Sequence, residues 1–506
     1  MGKLTARAAL LAATSIFLWP TIAASQQGGA GTSAPVPLPQ APTTTTPINP
    51  ALPAVPTLAS GAAVIGPGTG RAAPNTGGLQ LDFGIKTSLK ADSNFPLTPG
   101  KSRGTSYISD NTLSYGLSSI TQTTTFNLTG SAVLRYADIP GRSIKGLEDP
   151  MANVLYMTES ANSRVTLRGR WRYVDRQFLD PFQVELEDLQ TGLITDGGTV
   201  RDPSYSLRFE TGLQSPFGLV LDLGRAEKHY SGTTNPLLFD TQTDTASLAA
   251  NMRYNAVTQG SLTASATHYI TQDIVQTDRW TRSLTYGLTR DVNGTLQVSG
   301  QIGYSEVVTD TIFGQARNKG VIGGFGVTQQ VQDGSYSVNL AANRNQNGLR
   351  TDLTFGRDMQ LPTGNLKGTI GVTKGSVGGG AMIGSLSYSI QRPSDTLTLA
   401  IRRGATTNST NQDILNTAVT VNWGHAVNSL SMLDMGVDYA ETQGTGGSGA
   451  NATRLTNLYA NYNYTLTPDW ALTTGVNYRV KTQTGLAQAK STGVYVTLGR
   501  NFSFRP

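Results

Sequence analysis

The chain closes on Gly493-Val494-Tyr495-Val496-Thr497-Leu498-Gly499-Arg500-Asn501-Phe502-Ser503-Phe504-Arg505-Pro506. In an extended strand, successive side chains point to opposite faces. Val494, Val496, Leu498, Phe502 and Phe504 therefore make one apolar row. Thr497 and Gly499 fall on the other face. Such a strand belongs in a wall that separates an apolar surrounding from a wet one.

The same period of two runs from Leu79 to the C-terminus, and helical periodicity is almost absent. Leu296, Val298, Gly300, Ile302 and Tyr304 share a face opposite Thr295, Gln297, Ser299 and Gln301. Tyr336, Val338, Leu340 and Ala342 oppose Ser337, Asn339 and Asn343. Leu458, Ala460, Tyr462 and Tyr464 repeat the pattern, as do Trp470, Leu472, Val476 and Tyr478.

Tight turns are signalled at Gln214-Ser215-Pro216, Asn293-Gly294, Asp333-Gly334, Pro362-Thr363-Gly364, Pro393-Ser394 and Thr467-Pro468-Asp469. Similar breaks lie near Thr121, Asn162, Gln259 and Asn428. Longer connections alternate with them, over 94–107, 138–151, 177–203, 231–241 and 441–450. About ten tight turns, with both termini on one side, give about 22 strands. Roughly 430 residues then leave about 20 per strand and connection, enough for about 10 per membrane crossing. A β-solenoid would show a fixed repeat, which is absent. A soluble sandwich also alternates, but strands this long and this many argue for closure.

Composition agrees. Charged residues are only 14% and hydrophobic residues 38% of the 506, whereas a soluble domain of this size carries more of both. A barrel with a wet interior needs apolar residues on one face only. There are no cysteines, which suits passage through an oxidising compartment.

Residues 1–25 read as a secretory signal: Lys3 and Arg7 precede the short apolar stretch 8–19, with Ala23-Ala24-Ser25 as the cleavage site. The remaining chain then carries 37 basic and 33 acidic residues, a thin excess with no basic cluster, so nucleic-acid binding is not expected. Residues 26–76, rich in Pro, Thr, Ala and Gly, cannot build a core and read as a disordered periplasmic segment. Residues 77–506 read as the barrel.

The signal, the strand rhythm and the Thr497, Gly499, Phe502, Phe504 ending resemble Gram-negative outer-membrane β-barrels inserted by the barrel assembly machinery. The resemblance covers roughly residues 79–506 and departs from many members by adding Arg505-Pro506. It implies an integral outer-membrane protein surrounded by lipid, handled by periplasmic chaperones, with that ending as its assembly signal. A strand number near 22 is similar to TonB-dependent receptors. No segment here matches their plug or TonB-contacting box, which argues against energised uptake.

The clearest polar feature is a row of arginines. Val165, Leu167, Gly169, Trp171 and Tyr173 form a lipid row, so Arg164, Arg168, Arg170, Arg172 and Arg176 are expected to point inward, joined by Arg208 on the next strand. They make either an electropositive stripe for anionic solutes or braces to Glu159, Glu185, Glu187 and Glu210. Asp434 and Asp438 are expected on an opposing inward row, where they would complete a transverse field. Trp423 and Trp470 near periplasmic ends, and Trp280 near an outer end, suit an interfacial belt.

Catalysis is not expected. The three histidines, His229, His268 and His425, show no neighbouring Ser or Asp in a recognisable constellation. No metal centre or cofactor site is expected, and Glu185, Glu187 and Asp188 offer at most a weak Ca²⁺ site. Gly323-Gly324-Phe325-Gly326 and Gly378-Gly379-Gly380 lack the helix and Lys-Ser/Thr of a phosphate loop. Two function classes remain. One is a porin-like channel for small or anionic solutes, or a conduit for a secreted polymer, narrowed if the connection 177–203 folds inward. The other is a non-conducting envelope or adhesion barrel acting through its outer loops.

Overall fold

The structure is a computed structural model and describes residues 78–100, 102–182, 189–194, 196–377, 379–408, 411–445 and 452–505. The signal 1–25, the segment 26–76, and Glu185, Glu187, Asp188 and Gly378 lie outside the described residues.

The wall begins with β1 (Gly78–Asp92), β2 (Ser106–Ile120), β3 (Thr124–Ile139), β4 (Arg142–Glu159) and β5 (Ser163–Asp175). A turn of 3₁₀-helix (Arg176–Phe178) and the single-turn α1 (Leu189–Gly192) follow. Next come β6 (Thr199–Arg201), β7 (Ser204–Thr211), β8 (Phe217–Ser231), β9 (Thr241–Asn255), β10 (Thr258–Thr271), β11 (Asp278–Asp291) and β12 (Leu296–Thr311). The chain continues through β13 (Gly314–Val331), β14 (Gly334–Asn345), β15 (Gly348–Leu361), β16 (Gly364–Gly375), β17 (Gly380–Gln391) and β18 (Asp395–Thr407). It ends with β19 (Asp413–Asn428), β20 (Ser431–Gly444), β21 (Thr453–Thr465), β22 (Trp470–Gln483) and β23 (Ala489–Phe504).

Wall neighbours pair antiparallel, and β1 closes on β23 from Leu81↔Phe504 to Asp92↔Gly493. Segments β6 and β7 both lie between β5 and β8 and form one wall strand, broken at Asp202-Pro203 where proline has no N–H to give. The 23 segments thus make 22 wall strands, as the turn count predicts.

The outward row is apolar. Phe83, Leu89, Ile302, Leu340 and Val372 are all well exposed, while their inward neighbours along each strand are polar or small. This is the reverse of a soluble protein. The rings of Phe83 and Phe504 meet edge-on across the closing seam at 6.4 Å on the outward side. Thr497 donates to Ser88 at 3.0 Å on the inward side.

One connection differs from expectation. Residues 138–151 were expected as a long outer loop, yet β3 and β4 run on to a two-residue turn at Pro140-Gly141. Ile139 and Ile144 keep the alternation going and are buried inside the mouth. The extra length is absorbed by a bulge between Ser131 and Val133 and by Asp149, which adopts φ 49°.

A charge on the outward row at mid-wall has no water to meet. We expect Leu340→Arg to destabilise the barrel by about 2–4 kcal/mol, and Asn339→Lys, one residue away on the lumen face, by under about 1 kcal/mol. Equilibrium unfolding in lipid vesicles checks this; equal costs would contradict the assigned faces.

Candidate functional site

Three apolar clusters stand inside the lumen at the end opposite the predicted tight turns, one of wall residues alone (Ile383, Ala405 and Leu415) and two that involve the connections. In the first of these two, Phe95 from the β1–β2 connection and Phe178 from the turn after β5 pack on Ile108, Ala137, Ile139 and Ile144. In the second, Leu97, Phe182, Leu189 and Leu193 pack on Ala440 of β20, Leu455 of β21 and Ala489 of β23. The β1–β2 and β5–β6 connections therefore dive into the barrel and cover the inward face of β20–β23 and β1–β4. Burying such side chains supplies about 1.5–3 kcal/mol each.

Polar fastenings hold this layer. Arg479 of β22 pairs with buried Asp92 at 2.7 Å and donates to the Phe95 carbonyl at 3.1 Å. Ser491 also donates to the Asp92 carboxylate. Lys481 of β22 donates to the Leu193 carbonyl at 2.5 Å. Arg135 of β3 pairs with Asp110 at 2.7 Å and Asp149 at 2.8 Å, and its guanidinium lies 3.5 Å over the Phe178 ring. Asp175 pairs with Arg142 at 2.6 Å and accepts the Gln177 N–H at 3.0 Å. Asp196 accepts the N–H groups of Thr234 and Asn235, at 2.7 and 2.8 Å, and ties the layer to the β8–β9 connection.

The predicted arginine row divides into three parts. Arg164 and Arg208, toward the tight-turn end, are braces. Arg164 pairs with Glu159 at 2.8 Å and Glu210 at 3.6 Å, and Arg208 with Glu210 at 3.1 Å and Asp222 at 3.3 Å. Further up β5, Arg168 has no ion-pair partner among the described residues, and Arg170 meets Asp202 at 3.2 Å, half exposed. Arg172, next on the same face, lies in the field of Asp202, Asp149 and Asp180. Arg176 departs from expectation. The strand ends at Asp175, and Arg176 turns into the loop layer, where it donates to the Thr191 carbonyl at 2.7 Å and sits 5.5 Å from the Tyr230 ring centre. It holds the layer and does not line a path.

Arg168 and Arg170 border a cavity of about 550 Å³, walled by the inward residues of β3, β4, β5, β7, β8 and β9. Around it lie Asn127, Asn153, Ser204, Ser206 and Thr243.

The acidic pair lies elsewhere. Asp434 accepts from Asn463. Asp438 is 2% exposed, accepts from Asn457 at 3.1 Å and lies near Asp180 of the loop layer. It is closed off by that layer and presents no charge to open solvent. Asp180 accepts the Phe182 N–H at 3.0 Å, and its second oxygen is enclosed with no hydrogen-bond partner among the described residues. Burial, reinforced by Asp438, pushes the Asp180 carboxyl up to about 6.

The histidines, for which the sequence shows no recognisable catalytic constellation, each meet an acidic side chain in space. His229 meets Asp240 and Glu227, each at 3.1 Å; His268 meets Asp278 at 2.8 Å; His425 meets Asp395 at 2.8 Å. All three lie on the outward row, at the strand ends. His268 stacks on Trp280 at 4.1 Å. With Arg225–Asp244 at 2.5 Å, the pairs of His229 and His268 mark where the outward row leaves the apolar belt. Strand pairing, which sequence alone does not give, brings most of these partners together.

Sequence reading also missed Asp92, Arg135, Arg479 and Lys481, whose partners are set by loop docking. One signal was present: the connection 177–203 carries Phe178, Leu179, Phe182, Leu189, Leu193 and Ile194, more apolar side chains than a solvated loop needs.

A closed 22-strand barrel with an outward apolar belt and a charged lumen defines an integral outer-membrane β-barrel of Gram-negative type. Among solved structures the chain is similar to the FrpB iron transporter from Neisseria meningitidis (F3-3 variant), with a TM-score of 0.56 at 9% identity, covering 83% of this chain and 81% of that one. It is also similar to a mutant ferric enterobactin receptor (PfeA) from Pseudomonas aeruginosa in complex with enterobactin, with a TM-score of 0.50 at 8% identity, covering 84% and 82%. At this identity the likeness is one of fold. No family model matches the chain, and no curated protein matches it in sequence.

Removing Arg479 leaves the fully buried Asp92 with Lys90, 3.4 Å away, as its remaining ion-pair partner among the described residues. We expect Arg479→Leu to cost about 1–3 kcal/mol and to expose the 93–105 connection to proteolysis on intact cells. Unchanged protease resistance would contradict the fastening role.

A pH effect follows from Asp180. The docked loop holds this proton more tightly than a free loop, so docking is strongest below pH 4, weakens as pH rises to about 6, and then levels off. Hydrogen exchange of the 189–194 amides at pH 4.5 and 7.5 reads this out. Asp180→Asn should abolish the difference.

Proposed function

We propose that the protein is a transport barrel whose lumen, narrowed by the inward loop layer, passes small anionic solutes through the arginine-lined sector, by diffusion and without catalysis. The observation that supports this most is the contrast between the two sides of the lumen. The β20–β4 side is packed with apolar side chains and paired charges. The β3–β9 side keeps a cavity of about 550 Å³ beside Arg168, which has no ion-pair partner among the described residues. A fixed positive field in a confined, wet passage raises the local concentration of anions. The same lining suits an acidic polymer leaving the cell. The Thr497, Gly499, Phe502, Phe504 ending is the proposed element read by the barrel assembly machinery.

A second reading is specific uptake of a bound ligand. It draws on the barrel architecture shared with an iron transporter and a ferric enterobactin receptor.

Single-channel recording of the refolded protein in a planar bilayer separates the two. A diffusion pathway gives a stable conductance whose reversal potential in a salt gradient favours anions. Arg168→Ser with Arg172→Ser should cut that preference at least several-fold. A folded barrel that stays silent without ligand contradicts the channel and favours the receptor.

A further inference from the structure

Neutral polar side chains of the inner wall are used in two ways. At several places they satisfy one another. Tyr459 donates to Asn422 and Tyr495 to Asn461. Thr473 donates to Asn463 at 2.7 Å, Thr442 to Asn416 at 2.8 Å, and Thr369 and Ser385 share a bond of 2.9 Å. Around the 550 Å³ cavity the pattern stops. Asn127, Asn153, Ser204 and Ser206 make no side-chain hydrogen bond to protein among the described residues. Their donors and acceptors face the cavity together with two guanidinium groups.

We propose that this cavity is a binding subsite for an acidic saccharide, a sugar carrying a carboxylate or phosphate. The proposal rests on the anion-passing reading for how the solute arrives, and it names the solute class and the place where it pauses. Arg168 and Arg170 lie two residues apart on one face of β5, about 7 Å along the strand. A guanidinium grips a planar carboxylate or a phosphate through paired N–H donors. Among the described residues no carboxylate engages the donors of Arg168. A sugar hydroxyl both gives and accepts hydrogen bonds, which matches the mixed chemistry of asparagine and serine side chains.

Other anions fit less well. The one ring among the lining residues, Tyr205, lies on the outward row, and the inward Tyr269, opposite Thr243, already carries the Arg279 guanidinium 4.7 Å from its ring centre. The side chains of the inward row are polar apart from Leu155 and small residues such as Ala226. The volume lies within the range of small-molecule sites.

The test is equilibrium binding to the folded full chain in detergent, by titration calorimetry. The probes are a galacturonic acid trimer, glucose 6-phosphate, a neutral galactose trimer and inorganic sulfate. We expect at least one acidic sugar to bind ten-fold or more tighter than both the neutral trimer and sulfate. Whichever acidic sugar binds tighter identifies the acid group preferred. Arg168→Gln should weaken that binding at least ten-fold. Ser204→Val with Ser206→Val should weaken the acidic sugar several-fold and leave sulfate unchanged. Arg317→Gln, outside the lumen sector, should change nothing, and a heat-dependent shift in gel mobility checks that each variant is folded. Sulfate or the neutral trimer binding as tightly as the acidic sugars overturns the proposal, as does unchanged affinity in Arg168→Gln. Acidic-sugar binding by a barrel that does not conduct would sink the channel reading and keep the subsite. Conductance without binding would do the reverse.

Discussion

Everything in this molecule depends on the backbone pairing of β1 with β23. In hydrocarbon an unpaired N–H or C=O costs several kcal/mol, and no water is present to satisfy it. A 22-strand sheet with two open edges would leave two rows of such groups in lipid. Closure removes both edges, and once the sheet is closed the pleat alone sorts the side chains. Phe83, Ile302 and Leu340 go to lipid, while Lys90, Arg168 and Arg479 go to the lumen. The low charge content and the exposed apolar rows are consequences of that single constraint.

A barrel this wide cannot fill its interior with wall side chains, because its bore grows with strand number. Here the chain supplies a second, internal core. The connections after β1 and β5 carry Phe95, Leu97, Phe178, Leu189 and Leu193 into the mouth, where they bury apolar surface as a soluble protein does. The charges that accompany them are paired and enclosed, as Asp92 with Arg479 and Arg135 with Asp110 and Asp149. Such pairs add little net stability over apolar substitutes, but they fix one arrangement of the loops against the wall. The result is a lumen with one packed side and one side that keeps free polar groups, and the proposed transport role rests on that asymmetry.

The wall was legible in the sequence because lipid on one side and water on the other impose a period of two that needs no partner to be seen. The turns at Asn293-Gly294, Asp333-Gly334 and Thr467-Pro468-Asp469 gave the strand number for the same local reason. What was not legible depends on register. Arg164 and Glu210 sit opposite each other only once β5 and β7 are paired. Residue 176 looked like the next member of an alternating row, but the strand stops at Asp175, whose side chain caps the turn that follows. The outer hairpin of β3 and β4 was mistaken for a loop because charged residues near Asp149 interrupt the apolar row where the ladder continues. Asp438 was placed on the correct row and given the wrong surroundings, since nothing local to β20 announces a loop arriving from β5.

The chain contains no cysteine, so single thiols can report directly on the divided lumen. Ser206 lies exposed on the open side, and Asn457 is 7% exposed beside Asp438 on the packed side. The measurement is the rate at which a membrane-impermeant thiol reagent labels Ser206→Cys and Asn457→Cys in intact outer membranes. A docked loop layer predicts rapid labelling at 206 and labelling slower by at least a hundred-fold at 457. Equal rates would mean that the layer does not cover β20–β23, and the division of the lumen would fall with it.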